Sequence, residues 1–179
     1  RPCMPEIAPF RGILYDPARV DLAAVVTPPY DVITAARREA YEQRHEHNII
    51  RIEFGKPLPS DDERSNPHTR AAGYLQDWLA KRVLIQDSAP AIYPYVFAWD
   101  RRVGPLTGFL AAMRLEACAP GRVMAHEDTF TKPKEDRTRL LRACRANTSL
   151  IVGLVPDPND QVVGLIREAT GRTEARLAV

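Results

Sequence analysis

The densest group of chemically capable side chains lies between residues 126 and 147. His126 and Glu127 stand first, and a run of lysines and arginines follows on a predicted helix of about residues 133–146. Thr131 as N-cap and a proline in the first turn mark the start of that helix. A histidine or glutamate can move a proton, and cations at a helix start can hold a phosphate. The segment therefore predicts acid–base chemistry beside a bound anion.

Arg137 is the most constrained of these cations. At 100° per residue it falls on the apolar face of the helix, with Leu140, Leu141 and Cys144. A guanidinium that faces a core is costly unless a carboxylate or another anion meets it. Two interpretations stay open: a buried structural ion pair, or an anion site that Arg137 shares with Lys134.

A second group of polar residues surrounds the turn Pro28-Pro29-Tyr30-Asp31. The two prolines stiffen a loop that carries Tyr30 and Asp31, as in a preorganised site. Asn48, Arg51 and Glu53 of the predicted strand 48–54 complete the group. We expect Asp31 to act in catalysis, and Tyr30 and Arg51 to contact phosphate or substrate. An Asx turn, in which Asp31 accepts hydrogen bonds from nearby amides, is the equally simple alternative.

The motifs of several common sites are missing from the sequence. His126-Glu127 begins like a zinc-protease helix, but residue 130 is a phenylalanine where the second histidine ligand is needed. The Walker, dinucleotide-binding and nucleophile-elbow motifs do not occur. We therefore predict no metal site, and a phosphate would be held by a helix N-terminus and cationic side chains.

Length and composition describe one ordinary globular protein. The 179 residues are enough for a single domain over 1–179, and a net charge of +2 disfavours nucleic acid as a partner. No apolar run or leader pattern indicates a membrane protein or a secreted one. We expect a cytoplasmic protein with reduced cysteines and a small anionic ligand, in an oligomeric state that the sequence leaves open.

Helix and strand patterns alternate along the chain and predict an α+β fold with a mixed, largely antiparallel sheet and packed helices. Thr34, Asn66 and Asp160 are the predicted N-caps of three further helices. The predicted helices cover 35–45, 67–82 and 161–171, and the predicted strands cover 20–26, 48–54, 93–99, 107–116 and 150–155, with 93–116 as a hairpin. Asn147 is predicted to end the basic helix in the left-handed conformation.

Five blocks of the sequence resemble a bacterial and archaeal family known as domain of unknown function 1015. They are Ile7 to Asp16, Val26 to Ile33, Asn48 to Glu53, Gly108 to Glu116 and His126 to Asn147. The resemblance covers nearly the whole chain in order. It implies a further relation to the ParB/sulfiredoxin-like free serine kinases, which convert L-serine to O-phosphoserine with a nucleotide.

The resemblance thus implies part of a serine-kinase-like phosphotransferase that uses ATP or ADP with magnesium. Family members usually carry a later Asp-Gly-His-His-Arg motif, which this sequence lacks. We therefore expect the chain to correspond to the N-terminal half of the family architecture and to be inactive alone. In this hypothesis Asp31, His126 and Glu127 face a cleft with Lys134 and Arg137. The alternative is a non-enzymatic module that binds a nucleotide, a phosphorylated metabolite or a protein.

Overall fold

The computed structural model describes residues 5–97, 105–116, 123–124, 130–171, 175 and 177–178. These residues form two compact units. The helical unit contains residues 13–86 and 130–152, and the hairpin unit contains the described residues before 13, from 87 to 124 and from 153 onward. Helices combine with antiparallel strand pairs, so the predicted α+β class is confirmed.

The helices and strands are short. No helix in the described part of the chain is long and apolar enough to cross a bilayer. The helices are α1 (Leu22–Val25), α2 (Ala35–Arg44), α3 (Ile50–Glu53), α4 (Pro67–Ala80), α5 (Thr131–Cys144) and α6 (Gln161–Gly171), with a 3-10 turn at Tyr30–Val32. The strands are β1 (Ile7–Ala8), β2 (Ile13–Tyr15), β3 (Leu84–Gln86), β4 (Tyr93–Phe97), β5 (Leu106–Leu110) and β6 (Ala112–Met113). Strand β1 pairs with β6, β2 with β3 and β4 with β5.

The core of the helical unit forms where α4 packs against α3 and α5. Trp78 of α4 is 2% exposed, and each large side chain buried in this way contributes about 1.5–3 kcal/mol. Leu140 of α5 joins this core, but Leu141, predicted on the same face, is 46% exposed. The buried members are Val20, Val25, Ile52, Ala71, Leu75, Trp78, Val83, Leu84 and Leu140.

Two predicted N-caps are confirmed in atomic detail. Thr34 Oγ1 accepts a hydrogen bond from the amide of Arg37 at the start of α2. Asn66 Oδ1 accepts from the amides of His68 and Thr69 at the start of α4, while Thr69 Oγ1 accepts from the Asn66 amide. This reciprocal capping box satisfies amides that have no partner inside the helix.

The predicted ends of α5 are wrong by one and two residues. Phe130 holds the N-cap position without a side-chain hydrogen bond, and Thr131 is already helical. At the other end, Arg145 and not Asn147 adopts the left-handed conformation, with φ 52°. The Arg145 amide donates to the carbonyl of Leu141, which closes the last turn before Asn147 is reached.

Two predicted strands of the helical unit are one-turn helices, because a polar side chain starts a turn at each. Asp21 Oδ1 accepts from the Ala23 amide and opens α1 within the predicted strand 20–26. Asn48 Oδ1 accepts from the Ile50 amide and opens α3 within the predicted strand 48–54. Local hydrogen bonds from backbone amides to polar side chains therefore override the strand preference of the β-branched residues.

The predicted strand 150–155 does not form either. The segment has no regular structure, and Ile151 is 94% exposed. No strand in the described part of the chain pairs with it. Without a ladder to satisfy its backbone, an apolar run is not held in a sheet.

The hairpin unit contains the predicted hairpin, formed by β4 and β5. Gly108 lies opposite Tyr95, and a Cβ at Gly108 would stand 2.7 Å from the Tyr95 ring. Glycine is therefore required for the ring to lie across the hairpin. Helix α6 packs on this hairpin.

The N-terminus of α6 is capped by an aspartate other than the predicted one. The Asp157 carboxylate accepts from the amides of residues 161, 162 and 163, whereas Asp160 has φ 50° and is not the cap. Of the residues predicted to face inward, Ile166 is buried, whereas Leu165 is 67% exposed.

Candidate functional site

Arg137 of α5 is the centre of a polar cluster in the helical unit. Its Nη2 atom donates to the Glu53 carbonyl at 2.8 Å and to Asp136 Oδ2 at 2.6 Å. Its Nε atom also donates to Asp136 Oδ2, at 3.1 Å, and its Nη1 atom donates to Glu53 Oε2 at 3.2 Å. The side chain is 21% exposed. The arginine that the sequence placed on the apolar face is thus met by two carboxylates.

Glu53, at the end of α3, is the more deeply buried of the two acids. The whole residue is 9% exposed, and Oε2 accepts a 2.6 Å hydrogen bond from Ser149 Oγ as well as the bond from Arg137. Its Oε1 atom is buried without a hydrogen-bond partner among the described residues. Burial and then the charge of Glu53 raise the pKa of the Cys144 thiol, so that cysteine stays protonated at neutral pH.

Asp136 links the cluster to the start of α4. His68 Nε2 lies 2.8 Å from Asp136 Oδ1, and the His68 side chain is 18% exposed. Burial raises the pKa of the Asp136 carboxyl, but hydrogen bonds from Arg137 and His68 outweigh burial and lower it overall. An ionised carboxylate can only accept, so His68 Nε2 is the donor in this contact.

Tyr30 contacts this cluster with its aromatic ring, and Asp31 is the next residue along the chain. The Arg137 guanidinium lies 4.0 Å from the centroid of that ring, a close cation–π contact. The 3-10 turn that begins at Tyr30 is held by the Ile33 amide, which donates to the Tyr30 carbonyl. Asp31 in the same turn is exposed and makes no hydrogen bond among the described residues. The Asx turn considered for Asp31 is therefore not formed.

The other cations of α5 make no contact with the cluster among the described residues. Lys134 lies one turn before Arg137 and is exposed, as are Arg139 and Arg142. The Arg137 guanidinium has five N–H groups, and its four short contacts leave one Nη1 hydrogen, which faces Ser149 Oγ at 3.5 Å. An external anion can reach Lys134 and the other exposed cations of α5, and this last hydrogen is the part of Arg137 that it can reach without breaking a short contact.

The structure does not bring Arg51 to the Arg137 cluster. Arg51 Nη2 donates to the Glu42 carbonyl at 2.8 Å, near the end of α2. Two residues along a helix differ by about 200° in direction, so Arg51 and Glu53 leave the single turn of α3 on nearly opposite sides.

The two predicted acid–base residues, His126 and Glu127, lie outside the described residues. Among the residues that the structure does describe, no group of three or more histidine, cysteine, aspartate or glutamate side chains could hold a metal ion.

Sequence reasoning missed three members of the cluster: His68, Asp136 and Ser149. The available signal was Arg137 itself, since an arginine on an apolar face requires a carboxylate, and Asp136 is its immediate neighbour.

The comparisons with known proteins place the chain in one family. A family model described as "Protein of unknown function (DUF1015)" matches residues 7–178. Neither a curated protein nor a solved structure matches the chain.

Proposed function

Starting from a chain that belongs to the DUF1015 family, we propose that it forms part of a serine-kinase-like phosphotransferase. The substrate class is a small hydroxyl metabolite such as L-serine, and the donor is ATP or ADP with magnesium. The observation that supports this most is the contact between Arg137 and Tyr30. It joins an exposed carboxylate, Asp31, to the basic first turns of α5.

Phosphoryl transfer needs an acceptor, a base and positive charge around the transferred group. The acceptor hydroxyl oxygen forms a bond to phosphorus, the bond between phosphorus and the leaving nucleotide oxygen breaks, and the hydroxyl proton passes to a carboxylate. In the proposal Asp31 takes that proton, and Lys134 with the remaining Nη1 hydrogen of Arg137 neutralises the phosphoryl oxygens. His126 and Glu127 keep the acid–base role that the sequence suggests for them.

A second function is supported by the contacts of Arg137. Most of its donors are already bound to Glu53 and Asp136. A guanidinium satisfied in this way holds helices together more than it holds a phosphate. The alternative is therefore a non-enzymatic module that binds a nucleotide, a phosphorylated metabolite or a protein through the exposed cations of α5.

Binding is the first test of the phosphate site. Calorimetry at low salt with ADP, ATP, pyrophosphate and O-phosphoserine should show weak binding that added salt loosens. Lys134→Ala should lower the affinity about two- to fivefold, because one exposed charge pair is lost. Arg139→Ala is the matched control on the same helix and should change nothing. No heat with any of the four ligands would remove the phosphate site from both proposals.

Turnover separates the enzyme from the binding module. We expect no serine phosphorylation from these 179 residues, because they lack the His-His-Arg loop. A longer family member that carries the loop should convert L-serine to O-phosphoserine, and replacing its equivalent of Asp31 by asparagine should abolish most of that turnover. An inactive longer protein that still binds phosphate would favour the binding module.

A further inference from the structure

A second polar region of the helical unit is a small cleft on the side of α3 that carries Arg51. Its volume is about 190 Å³, which is below the range of about 300–1,000 Å³ typical of pockets for drug-sized ligands. A compact metabolite is the largest molecule that it suits. The lining residues are Glu42, Arg51, Gly55, Lys56, Leu58, Pro67, Arg70 and Tyr74.

Arg51 is the lining cation that no carboxylate neutralises among the described residues. Its one hydrogen bond goes from Nη2 to the backbone carbonyl of Glu42, and its Nε atom is buried without a partner. A guanidinium so placed bears the cost of desolvation without the gain of an ion pair. An anionic group in the cleft would pair with the Nη atoms at the outer edge of the guanidinium and give Arg51 the counter-charge that it lacks.

The other two lining cations are already paired. Arg70 binds the two carboxylate oxygens of Asp61 and the carbonyl of Lys56. Lys56 Nζ lies 2.9 Å from Glu39 Oε1. These pairs add little net charge to the cleft, so Arg51 is the lining cation that remains for a ligand.

Glu42 supplies the opposite charge. Its side-chain carboxylate makes no ion pair or hydrogen bond within the described residues, although its backbone carbonyl is used by Arg51. The cleft is therefore lined by one unpaired cation and one unpaired anion. Leu58 and Pro67 add apolar surface, and the ring of Tyr74 adds a flat wall.

From this arrangement we infer that the cleft binds a free amino acid, with its carboxylate on Arg51 and its ammonium on Glu42. Bidentate pairing with a carboxylate is the contact that a guanidinium favours, and an ammonium needs a carboxylate or carbonyl oxygen. A zwitterion meets both groups at once, whereas a simple anion such as phosphate meets Arg51 and is repelled by Glu42. The inference does not rest on the proposed phosphotransfer, since it uses neither α5 nor the turn at Tyr30.

A panel of small ligands tests the pairing of both charges. Chemical-shift titration of the isotope-labelled chain would compare glycine, L-alanine and L-serine with lactate, which lacks the ammonium, and ethanolamine, which lacks the carboxylate. We expect saturable binding of at least one amino acid at millimolar concentration, with shifts centred on residues 42–58. Lactate and ethanolamine should bind about tenfold more weakly, the loss expected for one charge-assisted hydrogen bond.

Two variants assign the contacts. Glu42→Gln keeps the backbone carbonyl that Arg51 uses, so it should weaken amino-acid binding about tenfold and leave lactate unchanged or slightly tighter. Arg51→Lys should weaken both ligands, because the fork that pairs with a carboxylate is lost. Arg37→Gln, an exposed charge change on the same helix as Glu42, is the control and should leave binding unchanged. Because Glu42→Gln does not disturb the bond to Arg51, the test remains valid even if Arg51→Lys destabilises the fold.

Three outcomes would overturn the inference. The first is no saturable binding of any amino acid to the wild-type chain. The second is equal affinity for lactate and for amino acids, with no change in the Glu42→Gln variant. That result would indicate a site that recognises only an anion. The third is inorganic phosphate that binds more tightly than any amino acid and competes with it. A failed phosphotransfer assay has no bearing here, since this cleft is assayed by binding alone.

Discussion

Arg137 and Arg51 are two arginines beside the same one-turn helix, and their surroundings differ in one respect. Arg137 is bound by the carboxylates of Glu53 and Asp136, and its ring contact with Tyr30 covers one face. Arg51 is bound by one backbone carbonyl, and its Nε atom is left without a partner among the described residues. Both side chains lose part of their hydration, but only Arg137 gains carboxylate partners from the chain.

The difference separates a structural role from a binding role. When a buried guanidinium is satisfied by carboxylates of the chain, removing it strands those carboxylates and destabilises the fold. When the guanidinium has no carboxylate partner in the chain, removing it leaves no buried carboxylate unpaired. A ligand that pairs with the guanidinium, however, loses its partner. Replacing Arg137 should therefore lower the free energy of unfolding, whereas replacing Arg51 should mainly lower the affinity for a ligand.

The largest expected effect is that of Arg137→Ala. It removes the partner of Glu53, which is 9% exposed, and should lower the free energy of unfolding of the helical unit by about 3–5 kcal/mol. Urea denaturation followed by tryptophan fluorescence is suitable, because Trp78 lies in the same core. Arg139→Ala removes an exposed charge from the same helix and should stay within about 0.5 kcal/mol of the wild type.

A double variant shows whether the cost comes from the stranded acid. Replacing Glu53 by glutamine in the Arg137→Met background should recover part of the loss, because no buried charge is then left unpaired. A loss below about 1 kcal/mol for Arg137→Ala would contradict the structural role, since that is the range of a solvent-exposed ion pair.

A smaller effect is expected for Ser149→Ala. Ser149 Oγ donates a 2.6 Å hydrogen bond to Glu53 Oε2, and hydrogen bonds to charged groups contribute about 1.5–3 kcal/mol. Because Ser149 is exposed on its other side, we expect the lower end of that range in urea denaturation. Ser149→Thr keeps the hydroxyl and serves as the control. Equal stability of the alanine and threonine variants would show that the hydroxyl does not contribute.

The sequence predicted the Arg137 pairing but not the identity of all its partners. Helical periodicity is enough to place Arg137 on an apolar face, and burial rules then demand an anion. Glu53 could not be assigned, because residues 48–54 alternate like a strand, which would have pointed Ile50, Ile52 and Phe54 to one face. The turn that Asn48 starts converts this segment to α3 and sends Glu53 toward Arg137.

Two of the four predicted N-caps and the predicted hairpin were confirmed, whereas the short apolar segments 20–26, 48–54 and 150–155 did not form the predicted strands. Thr34 and Asn66 act through their own amide neighbours, so local sequence is sufficient. An apolar run such as 150–155 needs a neighbouring strand, and whether one is present depends on residues far away in the chain. The unpaired state of Arg51 was also beyond prediction, since it requires knowing where every nearby carboxylate lies.

A third effect is confined to acid pH. Hydrogen bonds from Arg137 and His68 lower the pKa of Asp136 in the folded protein despite its burial. A depressed folded pKa gives stability that is present above the usual aspartate pKa of about 3.9 and is lost as pH falls through the folded value. The stability difference between wild type and Asp136→Asn should thus shrink as pH falls below about 4. Glu135→Gln is the neighbouring control, and a difference that grows with acid would refute the pairing.

The smallest expected effect on stability belongs to Arg51→Met. Arg51 Nη2 donates to the Glu42 carbonyl, one of the last four carbonyls of α2, which have no partner inside the helix. Losing this bond costs free energy, but removing the unpartnered Nε atom from a buried position returns part of that cost. We therefore expect a change in the free energy of unfolding within about 1 kcal/mol, against about 3–5 kcal/mol for Arg137→Ala. Parallel urea denaturation of the two variants measures that contrast directly. A loss for Arg51→Met as large as that for Arg137→Ala would mean that Arg51 is a second structural arginine, and the distinction between the two would then fail.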